Sequence, residues 1–146
     1  MKHRLVMFAA AWLIAGVAML ADQKVQMKDL PAPVQKAVLE HTRAATVKGL
    51  SKEIEKGQTF YEAETIVNGH SRDLLFDAAG KLIEVEEEVS IDGVPAAVRS
   101  ALEAHGKISR VESVTRGKTV TYEAQVEKNG KKTEVVVDVG GKRLKH

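Results

Sequence analysis

The chain has 146 residues, 44% of them hydrophobic and 29% charged, a composition that supports a buried core and excludes a disordered chain. Aromatic residues make up only 4% and cysteine is absent, so the core has to be built from Val, Leu, Ile and Ala without disulfide support. The formal charge of +2 is too small to mark a basic surface for nucleic acid or anionic membrane.

Lys2, His3 and Arg4 precede an uncharged run from Leu5 to Ala21, the layout of a secretory signal peptide. The run falls short of the roughly 20 apolar residues a spanning helix needs. Residues 1–21 are therefore expected to be removed on export, after Ala18 of Gly16-Val17-Ala18 or after Ala21. Loss of Lys2 and Arg4 leaves the exported part formally neutral. The expected location is periplasmic or secreted, with no stable membrane insertion after cleavage, and residues 22–29 read as a linker.

Pro31 opens a run in which Val34, Ala37 and Val38 recur at helical spacing, and a proline suits the first helical turn. Asp29 is a candidate cap. A strand is expected near Val47 to Glu55. From there the period is 2, with Tyr61, Ala63, Thr65 and Val67 alternating with Phe60, Glu62, Glu64 and Ile66. Asn68-Gly69 is a two-residue hairpin signal, because both central residues of a type I′ turn need positive φ. The return strand carries Leu74 and Phe76 inward, Asp77-Ala78-Ala79-Gly80-Lys81 turns the chain again, and Val85 and Val89 of the next strand should face the helix.

The second half echoes the first. Val94-Pro95-Ala96-Ala97-Val98 answers Leu30-Pro31-Ala32-Pro33-Val34, Tyr122-Glu123-Ala124-Gln125 answers Tyr61-Glu62-Ala63-Glu64, Asn129-Gly130 answers Asn68-Gly69, and Asp138 with Gly141-Lys142 answers Asp77 with Gly80-Lys81. Such self-similarity signals an internal repeat. The expected architecture is α+β: two tandem repeats, residues 30–91 and 92–146, each one helix packed on a three- to four-stranded antiparallel meander sheet. Asp92 is the second candidate cap, and a strand is expected near Ile108 to Arg116.

A Pro-led helix, a Tyr-Glu-Ala strand, an Asn-Gly hairpin and an Asp-x-x-Gly-Lys turn, duplicated over Leu30 to Leu144, resemble the PepSY-like family, whose architecture is likened to a two-repeat β-lactamase inhibitor protein. The resemblance implies an exported module that binds proteins, in relatives sometimes associated with restraining peptidases. It brings no catalytic motif.

The residues agree with a non-catalytic reading. No serine sits in a Gly-x-Ser-x-Gly elbow, and there is no phosphate-binding glycine loop and no His-Glu-x-x-His pair. His41 and His105 fall at helix ends, where the helix dipole favours them, and no carboxylate at ligand spacing makes either a metal ligand. No catalytic residue, metal site or cofactor is expected.

One face of the sheet is left open by a helix on the other. By strand parity that face carries Glu62, Glu64, Glu84, Glu86, Glu88, Glu123 and Glu127, with Phe60, Ile66, Leu75 and Val136 exposed among them. These residues are the expected contact surface for a protein partner, the protein itself being a monomer. Three alternatives stay open: a solvated face balanced by Lys48, Lys52 and Lys56, a small-ligand or cation binder using the clustered carboxylates, and an envelope structural protein without a discrete site. Intact-mass measurement of the protein recovered from the envelope fraction checks the export reading. A chain beginning at Met19 or Asp22 is expected, and one retaining Lys2 and Arg4 would mean an uncleaved anchor.

Overall fold

The computed structural model describes residues 23–145; the expected signal peptide and its cleavage sites lie outside them. Eight antiparallel strands, β1 (Gln23–Lys24), β2 (Thr46–Glu55), β3 (Gln58–Val67), β4 (His70–Asp77), β5 (Leu82–Glu88), β6 (Lys107–Arg116), β7 (Thr119–Lys128) and β8 (Lys131–Asp138), follow one another in a single sheet in chain order. Two short helices interrupt them, α1 (Ala32–His41) between β1 and β2 and α2 (Ala96–Glu103) between β5 and β6.

This corrects the expected fold class. The chain does not form two helix-plus-sheet repeats, each on its own three- to four-stranded meander; it forms one continuous eight-stranded sheet that carries both helices. The physical reason is the edge of β5. A strand at the edge of a sheet presents unpaired N–H and C=O groups, and in β5 these are taken by β6, with Glu84 opposite Arg116, Glu86 opposite Val114 and Glu88 opposite Glu112. Strand periodicity states which face a side chain takes but not which strand pairs with which.

The cross-strand partners place both helices on the same side. One buried cluster joins Val34, Ala37 and Val38 of α1 to Tyr61, Ala63, Leu74 and Phe76. A second joins Val98 and Leu102 of α2 to Val111, Ala124, Val126, Val135 and Val137. Large-to-small changes at such sites cost several kcal/mol, about 3–5 for a buried Phe, so Phe76, fully buried, is a principal anchor of α1. The α2 cluster is mostly valine, as suits a chain poor in aromatics, while the α1 cluster draws on Tyr61 and Phe76.

Hairpin chemistry sets the register. Asn68 and Gly69 have φ of 50° and 84°, and Asn129 and Gly130 have 53° and 75°, the doubly positive pattern of a type I′ turn. Lys56 and Gly57 repeat it between β2 and β3. Bulges fall at equivalent places, between Val47 and Gly49 in β2 and between Ile108 and Arg110 in β6, and such bulges increase local twist. At the far edge Leu144 N donates to Val136 O and Arg143 bridges Val137, which covers part of the outer side of β8.

The segment read as a linker is structured. β1 pairs with Ser51 and Lys52 of β2, a 3-10 turn spans Met27–Asp29, and Val25 and Met27 rest on the α1 cluster. Neither Asp29 nor Asp92 caps an α-helix: Asp29 Oδ2 accepts from Gln26 N at 3.1 Å in the first 3-10 turn, whereas in the turn Ile91–Gly93 the cap is Ser90, whose Oγ accepts from Asp92 N at 3.3 Å, and the Asp92 carboxylate lies 3.3 Å from Arg99 Nη1. The helices start directly behind Pro31 and Pro95, at φ −55° and −54°, with no side-chain cap. Fixed proline φ supplies the entry geometry.

The Asp-x-x-Gly-Lys turns hold the helices down. Asp77 Oδ1 accepts from Ala79 N and Lys81 N, both at 2.9 Å, and Asp138 Oδ1 accepts from Gly140 N and Lys142 N at the same distance. Each turn brings a glycine against the first turn of a helix. A β-carbon on Gly80 would lie 2.5 Å from Pro33 O, and one on Gly141 would lie 2.4 Å from Ala97 O, while Gly69 has nothing within 4 Å. All three have φ near +80°. Gly69→Ala should therefore cost only the left-handed penalty of roughly 1 kcal/mol, whereas Gly80→Ala adds a backbone clash and should cost roughly 3 kcal/mol. Urea midpoints of the two variants check this, and equal losses would mean the Gly80 turn does not bear on α1.

Candidate functional site

The face opposite the helices is lined by the alternate residues of every long strand. Cross-strand partners share a face, so the register places Glu62, Glu64, Phe60 and Ile66 of β3, Leu75 of β4, Glu84, Glu86 and Glu88 of β5, Glu123 and Glu127 of β7, and Val136 of β8 on it together. Three residues beyond those read from the sequence join directly: Asp73 lies between Glu64 and Glu86, Glu112 between Glu88 and Glu123, and Glu134 beside Gln125. Glu53, Ser71, Arg110, Val114 and Arg116 belong to the same surface.

Exposure differs from the expectation of a solvated carboxylate face with apolar residues protruding from it. Leu75 and Val136 are buried and Phe60 and Ile66 are half-buried. Glu62 is 3% exposed and Glu84 2%, while Glu64 and Glu127 are exposed. Neighbouring strands lie only about 4.8 Å apart, and long side chains on successive strands shield one another. Glu62 stands between Ser51 and Leu75, and Glu84 between Leu75 and Arg116.

Two arginines from β6 meet the acids at the β5–β6 seam. Arg116 Nε donates to Glu84 Oε2, while Glu84 Oε1, also buried, has no hydrogen-bond partner among the described residues. Arg110 Nη2 donates to Glu112 Oε1 and to Ser71 Oγ at 2.5 Å, and lies 3.7 Å from Glu88 Oε2. Ser71 Oγ donates in turn to Glu88 at 3.3 Å, and His70 Nδ1 stands 3.8 Å from the other oxygen of Glu88. This network ties β4, β5 and β6 together.

Elsewhere carboxylates oppose one another. Glu64, Asp73 and Glu86 form one row across β3, β4 and β5, and Glu88, Glu112 and Glu123 form another across β5, β6 and β7. Like charges directly opposite are destabilising, and both burial and like charge favour the neutral acid. Burial, then the charges of Asp73, Glu53, Glu64 and Glu86, push the Glu62 carboxyl up to about 8. Burial, then Glu112, Asp73, Glu134 and Glu53, raise Glu86 to about 7. Burial, then Glu134, Glu86 and Glu112, raise Glu123 to about 8 against the opposing pull of Arg116. The site is thus a proton-holding acidic surface over a part-apolar floor.

The serines on this face are strand residues, and Ser71 is engaged with Glu88. His41 closes α1 with its ring 5.7 Å from that of Phe76, a packing role. Among the described residues no group of three or more His, Asp or Glu side chains is arranged to hold a metal ion, and no helix is long and apolar enough to cross a membrane.

Comparison with known proteins places this arrangement. A family model described as "Putative beta-lactamase-inhibitor-like, PepSY-like" matches the chain twice, over residues 16–84 and 61–145. Among solved structures, one from Bacteroides eggerthii described as "putative periplasmic" is 23% identical, with 80% of this chain and 86% of that chain covered at a TM-score of 0.66. A BLIP-like protein from Bacteroides fragilis is 24% identical, with 80% and 84% covered at a TM-score of 0.60. These two share the fold of this chain. Comparison with curated proteins returns no match.

The raised carboxyls make stability depend on pH with a definite sign. An unfolded glutamate titrates near 4.5, so between there and about 8 the folded chain holds more protons than the unfolded one, and stability falls as pH rises through that range. The urea midpoint should be higher at pH 5 than at pH 9, and Glu62→Gln, which keeps the shape without the charge, should flatten the difference. Equal midpoints at both pH values in the unaltered protein would place these carboxyls in free solvent.

Proposed function

Because this chain belongs to the PepSY-like, β-lactamase-inhibitor-like family, we propose that it is an exported, non-catalytic binding protein that grips a protein partner, such as a peptidase, through the open sheet face. The observation that carries this reading is the contiguous surface of carboxylates over Leu75, Val114 and Val136, on the side that neither helix uses. Export is supported by the signal-like layout of residues 1–21 and by the "putative periplasmic" description of the Bacteroides eggerthii structure.

The chemistry of the face selects the partner. Clustered carboxylates attract lysine and arginine, which steer encounter and set specificity, while part-buried apolar residues provide contact area. The partner's contact surface is therefore basic. Fold alone does not fix function; the charge pattern is what turns a shared scaffold into a claim about this chain.

Affinity capture from the envelope extract of the native source, with cross-links mapped onto the chain, tests the reading. Glu64→Lys with Glu127→Lys reverses two exposed members of the face without burying a charge, and Lys36→Glu on α1 serves as the helix-side control. Cross-links should fall on the open face, and the double reversal should weaken capture at low salt by about tenfold or more while the control leaves it unchanged. Undiminished capture by the double reversal would remove the acidic face from the interface.

A further inference from the structure

We propose that docking on the open face is coupled to proton release, so that the surface holds a basic partner at neutral to alkaline pH and lets it go as the pH falls. The inference rests on the docking reading above and adds its regulation.

The geometry behind it is the pair of carboxylate rows. Glu64, Asp73 and Glu86 stand in direct cross-strand opposition, as do Glu88, Glu112 and Glu123. Directly opposed β-carbons are about 4.5–5.5 Å apart, a spacing at which like charges destabilise the pair. Around Glu62 stand Glu53 of β2, Glu64 of β3, Asp73 of β4 and Glu86 of β5. Around Glu86 stand Asp73, Glu112 of β6, Glu134 of β8 and Glu53. Around Glu123 stand Glu112, Glu134 and Glu86, with Arg116 as the opposing cation. Arg116 is engaged with Glu84, and Arg110 with Glu88 and Glu112, while Lys107 and Lys132 flank Glu127 on the same face. His70 stands beside Glu88 at the rim.

A proton and a partner's ammonium or guanidinium meet the same need here, which is to relieve repulsion between acids held together by the sheet. Glu62, Glu86 and Glu123, raised to about 8, 7 and 8, carry much of the proton load of the free protein near neutrality. A cation brought against them favours their ionised forms. Binding then releases protons, and affinity rises with pH by up to about tenfold per unit for each proton released.

The test uses the mature chain and, as probe, a deca-lysine peptide with a blocked amino terminus and a pH-insensitive fluorophore, whose lysines stay charged between pH 5.5 and 8.5. Affinity is expected to be about tenfold or more higher at pH 8.5 than at pH 5.5. Calorimetry near pH 7 in two buffers of different ionisation enthalpy should show protons leaving on binding. In the unaltered protein, carboxyl-carbon NMR titrations should show glutamate midpoints near neutrality that move down when the probe is bound. His70→Gln should keep the pH dependence, and Glu62→Gln with Glu86→Gln and Glu123→Gln should remove it. Equal probe affinity at both pH values with no proton release would overturn the coupling and leave docking standing. A dependence that vanishes in His70→Gln would overturn it also, by assigning the effect to the histidine. Failure of the probe to bind at either pH would overturn both the coupling and the acidic-face reading on which it rests.

Discussion

The pairing of β5 with β6 is the interaction on which the rest of the structure depends. Without it β5 would expose an edge of unpaired backbone donors and acceptors running through Glu84, Glu86 and Glu88, a poor surface to leave in water and a template for wrong pairing. With it, eight strands share one sheet, α1 and α2 fall on one side, and the opposite side becomes a single surface. The seam is also where charge is balanced, by Arg116 against Glu84 and by Arg110 against Glu88 and Glu112. Arginine suits the role because it stays charged at any relevant pH and can satisfy several acceptors at once.

The sheet sets carboxylates against one another: Glu64, Asp73 and Glu86 across β3 to β5, and, through the seam, Glu88 against Glu112, with Arg110 between them. Some acids of the face are also buried. A buried charge without a counter-charge is expensive, and groups so placed shift toward the neutral form. The helix side bears the stabilising apolar area, and the open side carries the strain of like charges. Surfaces that retain such unfavourable chemistry are where function is expected, because a partner can supply what the fold withholds.

Parity explains why the composition of this site was legible while its state was not. Glu84, Glu86 and Glu88 alternate with Val85, so the period of 2 assigns them to one face with no knowledge of neighbours. Asp73, Glu112 and Glu134 could be found by the same alternation, two residues from Leu75, Val114 and Val136, but nothing local says that they stand opposite Glu86, Glu88 and Gln125. Burial of Glu62 and Glu84 depends on the long side chains of adjacent strands, and those are neighbours only through register.

What the sequence determined by itself is everything local. The Asn-Gly turns, the prolines that open the helices, the alternation within each strand and the aspartates that close the Asp-x-x-Gly-Lys turns follow from backbone sterics and hydrogen bonding within a few residues. The family likeness is carried by these same motifs. The tertiary structure decided the rest: that β5 and β6 join, that Gly80 and Gly141 press on helix carbonyls, and that acids of successive strands stand opposite one another, where burial and like charge raise Glu62, Glu86 and Glu123. Those are relations between segments far apart in the chain, fixed by backbone pairing and packing, and local periodicity carries no information about them.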